Sequence, residues 1–136
     1  MTKQSDITLI KNAIHNPAEP RHYMTLTPRQ DEYYLSVGET VVGKSKKVIA
    51  MHEVAHIILD PVHYFPQKDI AMDMFLQSDK STFCPLKGEA SYYSLKVGDK
   101  FFENVAWSYA APISIAAGIR GLLAFDTRII TCRRKV

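Results

Sequence analysis

"ASYYSLKVGDKFFENVAWSY", residues 90–109, decides the fold. Tyr93, Leu95 and Val97 alternate with polar neighbours, Gly98-Asp99 is a turn dipeptide, and Phe101, Val105 and Trp107 alternate on the return. Successive side chains of a strand point to opposite faces, so this period of two reads as a half-buried β-hairpin.

Working outward, "EYYLSVGETVVG" (32–43) carries two β-rich runs around Gly38-Glu39, a second hairpin signal. "GLLAFDTRIITC" (121–132) reads as a closing strand, and "PISIAAGIRG" (112–121) as a short helix begun by Pro112 and ended near Gly118 or Gly121. Ser5 or Asp6 caps a further short helix with Ile7, Ile10 and Ile14 at helical spacing. "HNPAEPRHYMTLTPRQ" (15–30) carries three prolines and reads as an extended lead-in. The expected fold class is mainly β, a single domain with short helices. Its division is an N-terminal extension (1–31), a domain (32–130) and a basic tail (131–136) holding Arg133, Arg134 and Lys135.

Composition narrows the function classes. The 136 residues are 46% hydrophobic and 23% charged, which suits one packed core. A net charge of +3 is too small to suggest nucleic-acid binding. No apolar run approaches the ~20 residues that span a bilayer, and the N-terminus lacks the pattern of a signal peptide. Two cysteines, Cys84 and Cys132, make no disulfide framework. The chain therefore reads as cytoplasmic, with reduced thiols and neither a membrane nor a nucleic-acid partner. Its oligomeric state is not encoded in any visible pattern.

"MHEVAHIIL" (51–59) contains H-E-x-x-H. On a helix, His52 and His56 would share a zinc ion and Glu53 would activate its water, the alternative reading of a zinc hydrolase. Against it, Lys44, Lys46 and Lys47 crowd the would-be helix N-terminus, where cations are disfavoured, and Val48, Ile49, Val54, Ile57 and Ile58 are β-branched. On a strand, residues four apart lie roughly 13 Å apart and cannot share a metal. No third ligand sits in a recognisable motif. The expectation is therefore no metal and no cofactor.

Downstream stand "VHYFPQKDI" (62–70), "SDKSTFCPLKGEASYYS" (78–94), "ENVAWSYAAP" (103–112) and "GIRGLLAF" (118–125). In this order and spacing they resemble the bacterial family called domain of unknown function 427, which also carries an older nucleotidyltransferase-like label. The resemblance runs from "DEYYLSVGETVVGKS" (31–45) to Phe125 and is densest at C-P-x-K-G, Y-Y-S and W-S-Y. Matching positions include Glu53, Tyr64, Asp69, Ser78, Thr82, Cys84, Lys87, Tyr92, Trp107 and Tyr109. The flanking His52 and His56 fall outside the pattern. The chain departs from it at Ala110 and Ala111, where an acidic residue is usual, and at Asp126, where an aromatic is usual. The resemblance implies a compact tent-like β fold, similar to the Mss4-like proteins and methionine sulfoxide reductase B. The zinc site of those relatives needs four cysteines, which this chain lacks. It implies no established reaction. Little supports nucleotidyl transfer, since there is no Gly-rich phosphate loop and "DIAMD" (69–73) offers only an isolated Asp69–Asp73 pair.

The chemistry must be read from the residues. Cys84-Pro85-Leu86-Lys87-Gly88 is a turn in which the Lys87 ammonium could favour a thiolate on Cys84, making it a nucleophile; the commoner fate of a free cysteine is packing. Lys87 reads either as a grip for a phosphate or carboxylate, with Thr82 and Ser78 assisting, or as a solvated turn lysine. Glu53 and Asp69 are the matched carboxylates for any proton transfer, although Asp69 also suits a structural turn. Tyr64, Tyr92, Trp107 and Tyr109 either wall a ligand pocket or form an aromatic core. The leading expectation is a small-molecule ligand around the C-P-x-K-G turn, with Cys84, Lys87, Asp69 and Glu53 as the chemical groups. Binding and catalysis are both open, and a purely structural or interaction protein is the other class.

Overall fold

A computed structural model describes Leu9 and residues 12–135. In chain order the strands are β1 (Ile14–Asn16), β2 (Glu19–Pro28), β3 (Tyr33–Val37), β4 (Thr40–Ser45), β5 (Ile49–Val54), β6 (Val62–Tyr64), β7 (Phe75–Cys84), β8 (Gly88–Val97), β9 (Lys100–Ser108), β10 (Leu123–Phe125) and β11 (Thr131–Arg134). They form three antiparallel sheets, ordered β1-β2-β5-β6, β10-β9-β8-β7 and β11-β3-β4. Among the described residues, the helical ones lie in short 3-10 turns at Gln67–Asp69, Met72–Met74 and Ser114–Ile119. The mainly β expectation holds. Among the described residues no helix is long and apolar enough to cross a membrane.

Both hairpins form where the alternation places them. Val97 pairs with Lys100 and Val37 with Thr40, and Gly98 and Gly38 take the positive φ that their two-residue turns require. The return strand is less regular than its sequence. Tyr93 faces Ala106 but Leu95 faces Phe102, so extra residues bulge around Asn104, whose φ is 53° and whose N–H donates to Ser94 Oγ. A bulge changes the phase of the pleat. Phe102 therefore packs on the core while Phe101, expected inside, is 57% exposed.

Other expectations are refined. "GLLAFDTRIITC" is two strands, because Asp126 builds a turn between them: its carboxylate accepts from the Arg128 backbone and guanidinium, and its carbonyl from Ile129 and Ile130. Residues 112–121 do contain the expected short helix, as a 3-10 helix at Ser114–Ile119. Of the proposed N-terminal helix, Ser5, Asp6, Ile7 and Ile10 lie outside the described residues, and Ile14 belongs to β1. The proline-containing lead-in supplies β2, which pairs with β5 from Tyr23–Val54 to Pro28–Ile49. Thr131–Arg134, the start of the basic tail, pairs with β3.

Two clusters of buried side chains share the interior. One gathers Leu35, Val42, Val48, Phe65, Leu95, Leu123 and Ile130; the other gathers Met24, Met51, Tyr64, Leu86, Tyr109 and Ile119. Strand β6 divides them. Tyr64 and Phe65 are adjacent, so they point to opposite faces and fill different clusters, each fully buried.

Candidate functional site

The C-P-x-K-G segment is the turn between β7 and β8. Cys84 pairs with Gly88, and the Lys87 N–H donates to the Cys84 carbonyl at 3.1 Å. Gly88 has φ +111°, and a Cβ there would meet the Ile113 nitrogen at 3.1 Å. Ile113 itself donates to the Lys87 carbonyl. Only glycine suits that backbone and that close approach. The result turns Lys87 inward.

Lys87 is neither a solvated turn lysine nor a free anion grip: it is 7% exposed. Its Nζ donates to Glu53 Oε1 at 2.7 Å, lies 3.8 Å from Met51 Sδ, and sits 5.8 Å from the centre of the Tyr109 ring. Glu53 comes from β5, where Met51 and Glu53 face inward and His52 between them is exposed. Its second oxygen accepts from His22 Nε2 at 2.7 Å. His22 stands diagonally across the β2–β5 ladder, two residues from Met24, the partner of Glu53.

Hydrogen-bond polarity fixes the histidine's form. The Ala18 N–H donates to Asn16 Oδ1, which directs Asn16 Nδ2 at His22 Nδ1, 3.2 Å away. An amide nitrogen donates and a carboxylate accepts, so Nδ1 is the acceptor and Nε2 carries the proton. One continuous chain runs Asn16–His22–Glu53–Lys87. Burial raises the Glu53 pKa, but hydrogen bonds from Lys87 and His22 outweigh it, and the carboxyl ends below its ordinary 4.5. A depressed carboxyl pKa adds stability that is complete above 4.5 and is lost as pH falls through the folded value. Urea midpoints followed into acid should therefore drop, and Glu53→Gln should flatten that acid limb. An unchanged acid limb in the variant would show that other carboxylates carry it.

Around this pair lie the aromatic groups. The Tyr64 hydroxyl is buried with no acceptor for its own proton within hydrogen-bond distance, while the Trp107 indole stands near its oxygen as a donor. Burial pushes both Tyr64 and Tyr109 far above the ordinary phenol range, with Glu53, Cys84 and Tyr92 close enough to add to the effect and the Trp107 indole opposing it at Tyr64. Tyr92 and Trp107 are half-buried with rings 6.3 Å apart, Tyr92 bonds Thr82 Oγ1 at 2.8 Å, and Lys80 lies over the Tyr92 ring. Cys84 is half-buried at the end of β7.

Of the residues singled out from the sequence, the fold thus brings together Glu53, Tyr64, Cys84, Lys87, Tyr92, Trp107 and Tyr109, with Thr82 bonded at the edge. Asp69 is elsewhere: it accepts from Ser45 Oγ at 2.6 Å, beside the bridge between Gly43 and Ile70. Ser78 bonds Asn104 at the bulge. Cys132 packs against the other cluster, where burial pushes its thiol up to about 11. His22 and Asn16 were missed. The signal for His22 was its period-two spacing with Met24 and Leu26, but its partner lies 31 residues away.

The helical H-E-x-x-H reading is corrected by β5. His52 and Glu53 occupy opposite faces, and both Glu53 oxygens are committed to Lys87 and His22. Among the described residues no group of three or more His, Cys, Asp or Glu is placed to hold a metal ion. Cavities open elsewhere. One of about 430 Å³ is lined by Glu19, Arg21, His22, Ala55 and His56, and one of about 270 Å³ has Trp107 in its wall. Neither is lined by Cys84, Lys87, Thr82 or Tyr92.

Comparison with known proteins places this geometry in a family. The model of a family described as a domain of unknown function (DUF427) matches residues 25–134, which include the turn, Glu53 and every aromatic residue of the site. No curated protein matches the chain.

Proposed function

We propose that this chain, which belongs to the DUF427 family, binds a small polar ligand over the half-buried Cys84, Tyr92 and Trp107, above the Lys87–Glu53 pair. The observation that carries this reading is the Tyr64 hydroxyl, fully buried beside a buried ion pair, with the Trp107 indole as a donor nearby and no acceptor for its own proton. A buried hydroxyl left unpaired costs about 1–3 kcal/mol, a cost that a ligand acceptor would remove. Tyr92 and Trp107 supply stacking faces, and Thr82 marks the solvent side. Asp69 takes no part. Lys87 and His22 hold Glu53 charged and fixed, so in this reading they position the floor of the site and do not contact the ligand. Cys84 lines the site as a small packing group. The same reading takes the three sheets as a variant of the tent-like, Mss4-like arrangement, without its four-cysteine zinc site.

Tyr64→Phe tests it by removing one oxygen. The unliganded variant should be as stable as the parent or more stable by up to about 1 kcal/mol, because the orphaned hydroxyl is gone. Thermal-shift titration with small amides, carboxylates and phosphates should find a ligand that stabilises the parent and fails to stabilise the variant. A variant destabilised without ligand would show that the hydroxyl is already bonded, and the reading would fall.

A further inference from the structure

Strands β6 and β10 run antiparallel and touch at one point. Phe65 and Leu123 exchange both backbone hydrogen bonds, each 2.8 Å, in an isolated bridge. Peptide groups of alternate residues along a strand address the same edge. His63 and Phe125, two residues along from that bridge, therefore aim their N–H and C=O groups across the gap. The phase agrees on β10, where the Asp126 N–H turns the other way and donates to Val105 of β9 at 2.8 Å. The ladder does not continue. In its place is the cavity of about 270 Å³, lined by Asp60, Val62, His63, Trp107, Phe125 and Thr127 among others.

We propose that this slit binds a single planar ring carrying an amide, neutral or cationic, whose N–H and C=O take the place of the missing strand pairing between His63 and Phe125. Size, lining and charge each restrict the ligand. A cavity of about 150 Å³ accepts a benzene ring, so this one holds a ring with one substituent. Trp107 and Phe125 offer apolar walls, and His63 is itself held by Tyr33, with ring centres 5.1 Å apart. Burial, Arg29 and His52 keep His63 below its ordinary 6.5, so the imidazole is neutral. At the rim Asp126 is paired with Arg128 at 2.8 Å, and Arg29, which acts on His63, is paired with Asp31 at 3.6 Å, which leaves Asp60 to set a negative sign there. A carboxylate is disfavoured by that charge and has no donor for either strand's carbonyl.

The site rests on no part of the reading above, although Trp107 borders both. Trp107 is the chain's single tryptophan, so its emission reports a ligand bound against it, and the His63 and Phe125 amides locate that ligand in the slit. Benzamide, titrated into the full chain, should change that emission saturably and shift the backbone amide signals of His63 and Phe125. Benzoate should bind at least about tenfold more weakly, and Asp60→Asn should narrow that gap. Thr127→Phe places a ring at an exposed lining position and should abolish benzamide binding with the melting curve retained, whereas Tyr64→Phe should leave it intact. Benzoate binding as tightly as benzamide, unmoved His63 and Phe125 amides, or benzamide binding that survives Thr127→Phe would each overturn the proposal.

Discussion

Lys87→Ala should lower the unfolding free energy by about 3 kcal/mol, since removing one member of a buried ion pair strands the other in a poorly solvated place. Glu53 would keep His22 as a hydrogen-bond partner, which sets the cost at the low end of that range. For a chain of this length the melting temperature should fall by about 10 °C. A lysine on the surface of a turn would behave otherwise, costing within about 0.5 kcal/mol. The double change Lys87→Met with Glu53→Leu should recover most of the loss, because a packed apolar pair often replaces a buried ion pair without penalty. Denaturant melts of the two single variants and the double variant measure the coupling directly. Independent, additive losses would show that the 2.7 Å contact contributes little.

Gly88→Ala should cost about 2 kcal/mol, from the strain of a non-glycine residue at φ +111° and from the Ile113 nitrogen 3.1 Å from the new methyl. Either the turn opens or the Pro112–Ile113 segment withdraws, and each displaces Lys87 from Glu53. Gly98→Asn is the contrast. Gly98 has φ +58° with nothing within 4 Å, a conformation asparagine tolerates, so its cost should stay below about 1 kcal/mol. If the two variants melted alike, the turn would be less closely held than its contacts imply. The Gly88 variant should also lose part of the stabilisation that Glu53 gives above pH 4.5, since that depends on Lys87 staying in place.

The site was legible where its residues are local to a motif. Cys84, Lys87, Tyr92, Trp107 and Tyr109 lie on one turn and the hairpin that follows it, so adjacency along the chain already implied adjacency in space. Asp69 shows the limit of that inference: it matches the same family pattern, yet a 3-10 turn sends its carboxylate to Ser45. His22 shows the converse. It lies in a segment read only as an extended lead-in, and its role comes from a strand pairing that no local signal fixes.

What the sequence determined by itself was the period of two, the glycine turns and hence a mainly β domain, because alternation and positive-φ dipeptides act over a few residues. Tertiary structure decided the phase after the Asn104 bulge, which moved Phe101 out and Phe102 in. It decided the break at Asp126, where one expected strand became two. It also decided the charge state of the interior. Lys87, Glu53 and His22 are each polar residues that water would hold equally well. Only the register of β2 on β5 and the inward turn at Gly88 place Lys87 and His22 each 2.7 Å from Glu53, where burial makes their pairing obligatory.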